Sequence, residues 1–528
     1  MRNFELPGRS EAFGVNGMVA TTHPLASIAA INVLREGGNA IDAAVAAAAV
    51  LAVVEPSQTG IGGDCFALIK REGKPVVAIN GSGAAPSNID VERLRQDHKA
   101  VLPGDSVHAV TVPGALRTWE KLVQDHGSRE WAGLLAPAIN AAENGYPVTE
   151  RLARDWSRQT EKLSKLADTA AIFLPHGRAP SAGDVHVQRN LAKTLSEVAA
   201  SGASAFYEGW IAEDIVASLN ALGGSHRLQD LAAFEPRYET PISAAYRGHQ
   251  LWECPPNGSG VTVLAMATLL DRFDLSALDL QSPERYHILA EIARIAYAER
   301  DAFVADPDIA PVPLQHLLSA RRADALFPRI SNSGRISNLT PIPAPEHKDT
   351  VFLTVVDKDR TAVSFINSIF DDFGSGIVSS KSGVLFHNRG CGFVLDEGHP
   401  NVLAPGKRPL HTILPAMLTK DGEVELAFGV TGGHFQPIGQ IQVLSNILDH
   451  GMSVQEAIDA PRIFARGDVL DFEHTVPEAA LARLRALGHR PTPAPNPLGT
   501  AQAIFIDRKR GLLRGGADPR RDGLALGY

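Results

Sequence analysis

Thr350 stands at the head of a strand-like run and directly behind a long polar loop, a placement with a specific chemical use. The run is Thr350-Val351-Phe352-Leu353-Thr354-Val355-Val356, rich in β-branched and aromatic side chains. Ahead of it, from about Pro328 to Asp349, come Ser331-Asn332-Ser333-Gly334 and Pro341-Ile342-Pro343-Ala344-Pro345, which no regular element tolerates. A hydroxyl so placed can attack the carbonyl of Asp349, move the backbone onto an ester and let water release two chains. The freed α-amine of Thr350 then serves as its own general base, because an α-amino group titrates at roughly 8 and is substantially neutral near neutral pH. Threonine with its own N-terminal amine is one known way of activating a weak hydroxyl. A threonine opening a strand is also an ordinary β-former, so spacing alone leaves both readings open.

The elements that would position Thr350 are legible around it. Asp357-Lys358-Asp359-Arg360 is a turn leading to a second strand, Ala362 to Ile366. Near the N-terminus, apolar residues at helical spacing run from Leu25 to Arg35 and stop at Gly37-Gly38. Asn39 can cap the next helix, which is Ala-rich and apolar on every face and must be deeply buried. Gly60-Ile61-Gly62-Gly63-Asp64 is a tight turn into the strand Cys65 to Ile69, which pairs with Val76 to Ile79 through Arg71-Glu72-Gly73-Lys74. From about Trp119 to Leu326 the periodicity is mostly helical, and Pro255-Pro256-Asn257-Gly258-Ser259-Gly260 forms a loop opening a helix from Val261 to Leu270.

Composition narrows the field. The 528 residues are 44% hydrophobic and 21% charged, enough apolar material for a large core, with a formal net charge of −9. That balance argues against general nucleic-acid binding; Arg508-Lys509-Arg510 reads as solvated surface. The apolar run Ala43 to Val54 is too short to span a bilayer and is fenced by Asp42 and Glu55, so no membrane partner is expected. Cys65, Cys254 and Cys391 are too few and too scattered for a disulfide framework or a CxxC metal site. With no signal-peptide pattern at Met1 to Gly8, a cytoplasmic location is expected. The 18 histidines show no metal-binding spacing, and Asp371-Asp372 reads as a loop tip, so no metal or cofactor is expected.

Several motifs resemble the γ-glutamyltransferase family: Gly37-Gly38-Asn39-Ala40-Ile41-Asp42-Ala43-Ala44, Gly60-Ile61-Gly62-Gly63-Asp64, Thr354-Val355-Val356-Asp357, Lys407-Arg408-Pro409-Leu410 and Ala517-Asp518-Pro519-Arg520. They occur in the family's order along nearly the whole chain. The resemblance implies an α/β chain folded as the four-layer αββα sandwich of N-terminal-nucleophile hydrolases. It also implies a large subunit of 1–349 and a small subunit of 350–528, held together as a heterodimer in one domain. By the same resemblance Thr350 is the nucleophile, freed by cleavage after Asp349. Ser368 is the hydroxyl that hydrogen-bonds it and assists processing, and Gly432-Gly433 supply the N–H groups facing the oxyanion. Glycine suits that last task because an oxyanion hole needs close backbone approach.

The γ-glutamyl pocket does not carry over. Where the family holds the substrate α-carboxylate with an arginine, this chain has Ser82; where an asparagine holds the α-amino group, it has Phe370. The family's glutamine and aspartate are Arg389 and Gly392, and its serine pair is His411-Thr412. Both ends of an amino-acid recognition site are therefore missing, while Arg389 brings a cation able to pair with a carboxylate. A small amide carrying a carboxylate near the scissile bond fits such a pocket. Oxamate, hydrolysed to oxalate and ammonia, is of this kind, and the family includes oxamate amidohydrolases. Arg389 equally suits a structural ion pair, and His411 a hydrogen-bonded structural role. A γ-glutamyl peptide such as glutathione, with hydrolysis or transfer, and another acyl amide remain alternatives within the class. Outside it stand an anion-binding protein using Gly60 to Gly63 and an unprocessed binding relative.

Overall fold

The computed structural model describes residues 8–98, 100–337, 339 and 350–528. Two seven-stranded antiparallel sheets lie face to face. The first runs, edge to edge, Ala12–Gly14, Leu512–Ala517, Ala501–Asp507, Glu423–Val430, Ala416–Lys420, His249–Glu253, Ile242–Tyr246. The second runs Leu524–Gly527, Met18–Thr21, Val351–Val356, Ala362–Ser368, Asp64–Lys70, Val76–Gly81, Arg237–Glu239. Each sheet mixes strands from before and after Thr350.

The layering follows from the two-residue period of a strand. In the second sheet, even-numbered Phe352, Val356, Ala362, Ile366, Phe66 and Leu68 turn inward and meet Met417, Ala427, Ile504 and Leu513 of the first sheet. Odd-numbered Val351, Leu353, Val355, Val363 and Phe365 turn outward to a helical layer. At its centre is Ala40–Val54, buried along its whole length, with Asn39 and Asp42 completing a reciprocal capping box at its start. On the far side, Gly260–Leu270, Pro283–Phe303 and Gln436–Leu448 cover the first sheet. Helices, two sheets and helices make four layers, the αββα architecture expected.

The helix and hairpin predictions near Thr350 and Cys65 hold to within a residue or two. The middle of the chain needs correction. Alongside its helices it supplies Arg237–Glu239, Ile242–Tyr246 and His249–Glu253, which lie at or next to the sheet edges. These strands are short and mix polar with apolar residues, so they carry no clean alternation to read. Among the described residues no helix is long and apolar enough to cross a membrane, and Cys65 and Cys254 are buried while Cys391 is half-buried.

Candidate active site

Strand register builds the site. Val351 pairs with Asn367, and continuing that antiparallel register sets Thr350 opposite Ser368. Ser368 in turn pairs with Asp64 on the next strand. Cys65 pairs with Gly81, so Ser82 follows Asp64 in the same row. Directly opposed residues share a face, and here it is the inward face at one end of the space between the sheets. Thr350, Ser368 and Asp64 are all buried.

Two glycines fix the row. A Cβ on Gly63 would lie 2.3 Å from the Ser368 carbonyl oxygen, and one on Gly62 would lie 2.3 Å from that of Leu385. The glycine turn therefore serves close packing of backbones, not the anion-binding nest considered from sequence.

Thr350 Oγ1 and Ser368 Oγ are 3.1 Å apart. Ser368 Oγ also accepts from the Phe370 N–H at 2.9 Å and from Arg389 Nη2 at 3.3 Å. A hydroxyl has one proton and two acceptor positions. With both acceptor positions occupied, the Ser368 proton points at Thr350 Oγ1, which leaves the threonine's own proton to go elsewhere. Phe370 reaches its place in a left-handed conformation, φ 78°, unusual for a bulky residue. Its ring lies under the Arg389 guanidinium, 4.1 Å from the centroid, and edge-on to His434 at 6.5 Å.

Arg389 is fully buried. Its Nη1 donates to Thr412 Oγ1 at 3.0 Å, and its Nε lies 3.6 Å from Asp64 Oδ2, an ion pair beyond hydrogen-bond reach. Burial pushes the guanidinium down to about 10 while Asp64 opposes the shift, so it remains a cation at neutral pH. Asp64 also accepts from His411 Nε2 at 3.0 Å and from His387 Nδ1 at 3.1 Å. Burial alone would raise the Asp64 carboxyl, but the two imidazoles hold it well below the usual carboxylate range. Burial, then the Arg389 charge, pushes His411 down to about 3. That ring is neutral, its Nε2–H given to Asp64 and its Nδ1 facing the Ile413 N–H at 3.4 Å.

The first sheet packs across from strand Val351–Val356, with Gly429 so close to the Phe352 ring that an added Cβ would lie 2.4 Å from it. Gly432 and Gly433 follow strand Glu423–Val430 with φ of 113° and 56°, conformations that glycine adopts without a Cβ penalty. They lead into helix Gln436–Leu448, whose N-terminal end favours negative charge.

Of the residues singled out from sequence, Thr350, Ser368, Phe370, Arg389, His411 and Thr412 join one hydrogen-bonded and stacked network through Asp64. Asp349 lies outside the described residues. Ser82 stands apart: its hydroxyl accepts from Asn257 Nδ2 at 3.0 Å, and its link to His411 runs through the Asn257 carbonyl, which takes the His411 N–H at 2.8 Å. Asp64 and His387 were not singled out as site residues. Asp64 stood in plain view as the last residue of the glycine motif, but its side-chain partners His387, Arg389 and His411 lie more than 300 positions away.

Scattered histidines also converge elsewhere. The ligand atoms of His287, Glu291 and His489 lie within 4.8 Å of one another. His287 Nε2 donates to the Ser331 carbonyl at 3.0 Å, and its Nδ1 faces His489 Nε2 at 2.8 Å. Glu291 takes Arg294 at 2.6 Å and the Ile336 N–H at 2.7 Å. With the acid already paired to Arg294, the cluster is a clasp on residues 331–336.

Residues 26–528 match the family described as Gamma-glutamyltranspeptidase. The chain belongs to that family. It is 38% identical to the "Glutathione hydrolase-like YwrD proenzyme" of Bacillus subtilis, over 97% of this chain and 99% of that one. It is 36% identical to the "Oxamate amidohydrolase proenzyme" of Klebsiella pneumoniae, over 98% and 100%. Its fold superposes on the cephalosporin acylase from Bacillus halodurans with a TM-score of 0.93 at 37% identity, covering 100% of this chain and 99% of that chain. This is an enzyme of the γ-glutamyltranspeptidase family, with the N-terminal-nucleophile fold and relatives made as proenzymes.

Proposed function

We propose that the chain cuts itself between Asp349 and Thr350 and that Thr350 then hydrolyses a small amide bearing a carboxylate beside the scissile carbonyl, with oxamate the simplest case. The observation that carries this reading is the buried cation: Arg389 Nη2 lies 3.3 Å from Ser368 Oγ, itself 3.1 Å from Thr350 Oγ1. A carboxylate one bond from the reacting carbon lies within range of that charge, while no arginine stands at Ser82 to hold an amino-acid end. Thr350 Oγ1 adds to the amide carbon and its proton passes to the Thr350 α-amine. The oxyanion faces Gly432 and Gly433. Collapse breaks the C–N bond, ammonia leaves with that proton, and water cleaves the ester to give oxalate and restore the hydroxyl. No cofactor enters. Location in the cytoplasm belongs to the same proposal.

A second reading is favoured by the likeness to a cephalosporin acylase and by the apolar ring of Phe370: a larger acyl amide. Parallel assays of oxamate, a γ-glutamyl anilide and an acyl amide decide between them. Oxamate is expected to have the highest kcat/KM; rapid release from the γ-glutamyl anilide refutes the small-acid reading.

A further inference from the structure

We propose that Arg389, held by Asp64, is a positioning residue for the nucleophile: it aims the Ser368 proton at Thr350 Oγ1 and so lends its positive charge to the developing alkoxide through one intervening hydroxyl. This relay does not rest on the identity of the substrate. It acts on whatever carbonyl Thr350 attacks, the Asp349 carbonyl included.

Four observations converge on it. Thr350, Ser368 and Asp64 occupy one row across three neighbouring strands on one face, so their order is fixed by backbone pairing and not by flexible side chains. Both acceptor positions of Ser368 Oγ are filled, by the Phe370 N–H and by Arg389 Nη2, which sets the direction of its proton. Arg389 is anchored on three sides, by Asp64 at Nε, Thr412 at Nη1 and the Phe370 ring beneath. Asp64 is itself gripped by His387 and His411. A donor preorganised toward a developing negative charge in a dry site accelerates the step that makes the charge. The group that donates to Ser368 is charged, so the effect is stronger than from a neutral one.

A carboxylate clamp and a relay make different demands on Arg389. A clamp concerns binding of an acid only; the relay concerns turnover of every amide. The test uses matured enzyme, with rates expressed per mole of liberated small fragment, on oxamate and on oxamide, its neutral isostere. Arg389→Gln is expected to lower kcat about 10- to 100-fold on both substrates, and to slow self-cleavage by a similar factor. In a Ser368→Ala background the same substitution is expected to leave kcat on oxamide within about threefold, because the relay has lost its middle member. An unchanged kcat on oxamide in Arg389→Gln overturns the relay. If KM for oxamate rises in that case, the small-acid reading survives alone; equal loss on both substrates with no oxamate preference in the parent enzyme leaves the relay standing and removes that reading. Should Arg389→Gln fail to mature, Asp64→Asn read on oxamide decides: reduced kcat supports the relay and unchanged kcat refutes it.

Discussion

At the scale of single residues, the structure gives the hydroxyl pair a direction. Thr350 is predicted to be indispensable for cutting as well as turnover. Thr350→Ala should run as one uncut chain on denaturing electrophoresis and lose at least about 10³-fold in activity, whereas the parent chain's small fragment should begin Thr-Val-Phe-Leu. A cut Thr350→Ala chain would dismiss the assignment. In the sequence the pair was named by the family resemblance; the structure supplies its local cause, since the turn at Asp357 to Arg360 sets a register that delivers Ser368 to Thr350. Arg389 was legible as a charge out of place, suited to a carboxylate or to a structural ion pair, but its partner was not. Its anchor, Asp64, lies on another strand, and no local periodicity joins the two. Ser82 was read as a missing clamp, and in the structure its hydroxyl belongs to the Asn257 loop.

At the scale of elements, motifs that mark the family prove to be largely joinery. Asp357 accepts the N–H of Ala40 at 3.0 Å, tying the turn after strand Val351–Val356 to the start of the buried Ala40–Val54 helix. Asp518 takes Arg462 at 2.7 Å and the Ala501 N–H at 2.8 Å, and Arg408 reaches Asp306 at 2.8 Å. Such contacts explain why short runs of sequence announced the fold so clearly. The glycines are joinery of another kind. Gly63→Ala is predicted to destabilise by about 1–3 kcal/mol or more, since its Cβ must push against the strand that carries Ser368, and to slow self-cleavage. Gly133→Ala is the matching control: it sits in helix Trp131–Asn144 with nothing within 4 Å of the added carbon, and should be neutral or stabilising by up to about 1 kcal/mol. Comparing midpoints of urea unfolding, with electrophoresis for the cut, checks both; equal effects would show that the close approach at Gly63 is unimportant.

At the scale of the whole molecule, buried histidines set the response to acid. Burial pushes His23, His186 and His226 down to about 4 and His411 to about 3, whereas in the unfolded chain each titrates at roughly 6.5. Between those values the unfolded state holds more protons, so these four groups contribute full stability above about pH 6.5 and lose it as the pH falls toward 4. Glu55 works the other way. Burial raises it to about 7 against Arg521 and the Thr22 hydrogen bond, so its contribution is present at low pH and fades as the pH rises through 7. Glu253, Glu239, Asp357 and Asp459 are raised with it. The lowered histidines, which also include His489, His287, His108, His126 and His450, outnumber the raised carboxyls. The thermal midpoint is therefore predicted to fall steadily from pH 7 to pH 5; a midpoint that rises would contradict the sign. The interleaving of the two sheets has a separate consequence. Strand Val351–Val356 lies between Met18–Thr21 and Ala362–Ser368, so partners on both sides of the proposed cut share both sheets. The uncut chain folds as one molecule, at a rate independent of concentration. Once severed and denatured, the same protein must find its other half by diffusion, so it recovers at a rate that depends on dilution. With the proposed cut, covalent continuity is thus a resource the molecule uses once, during its first folding, and then gives up.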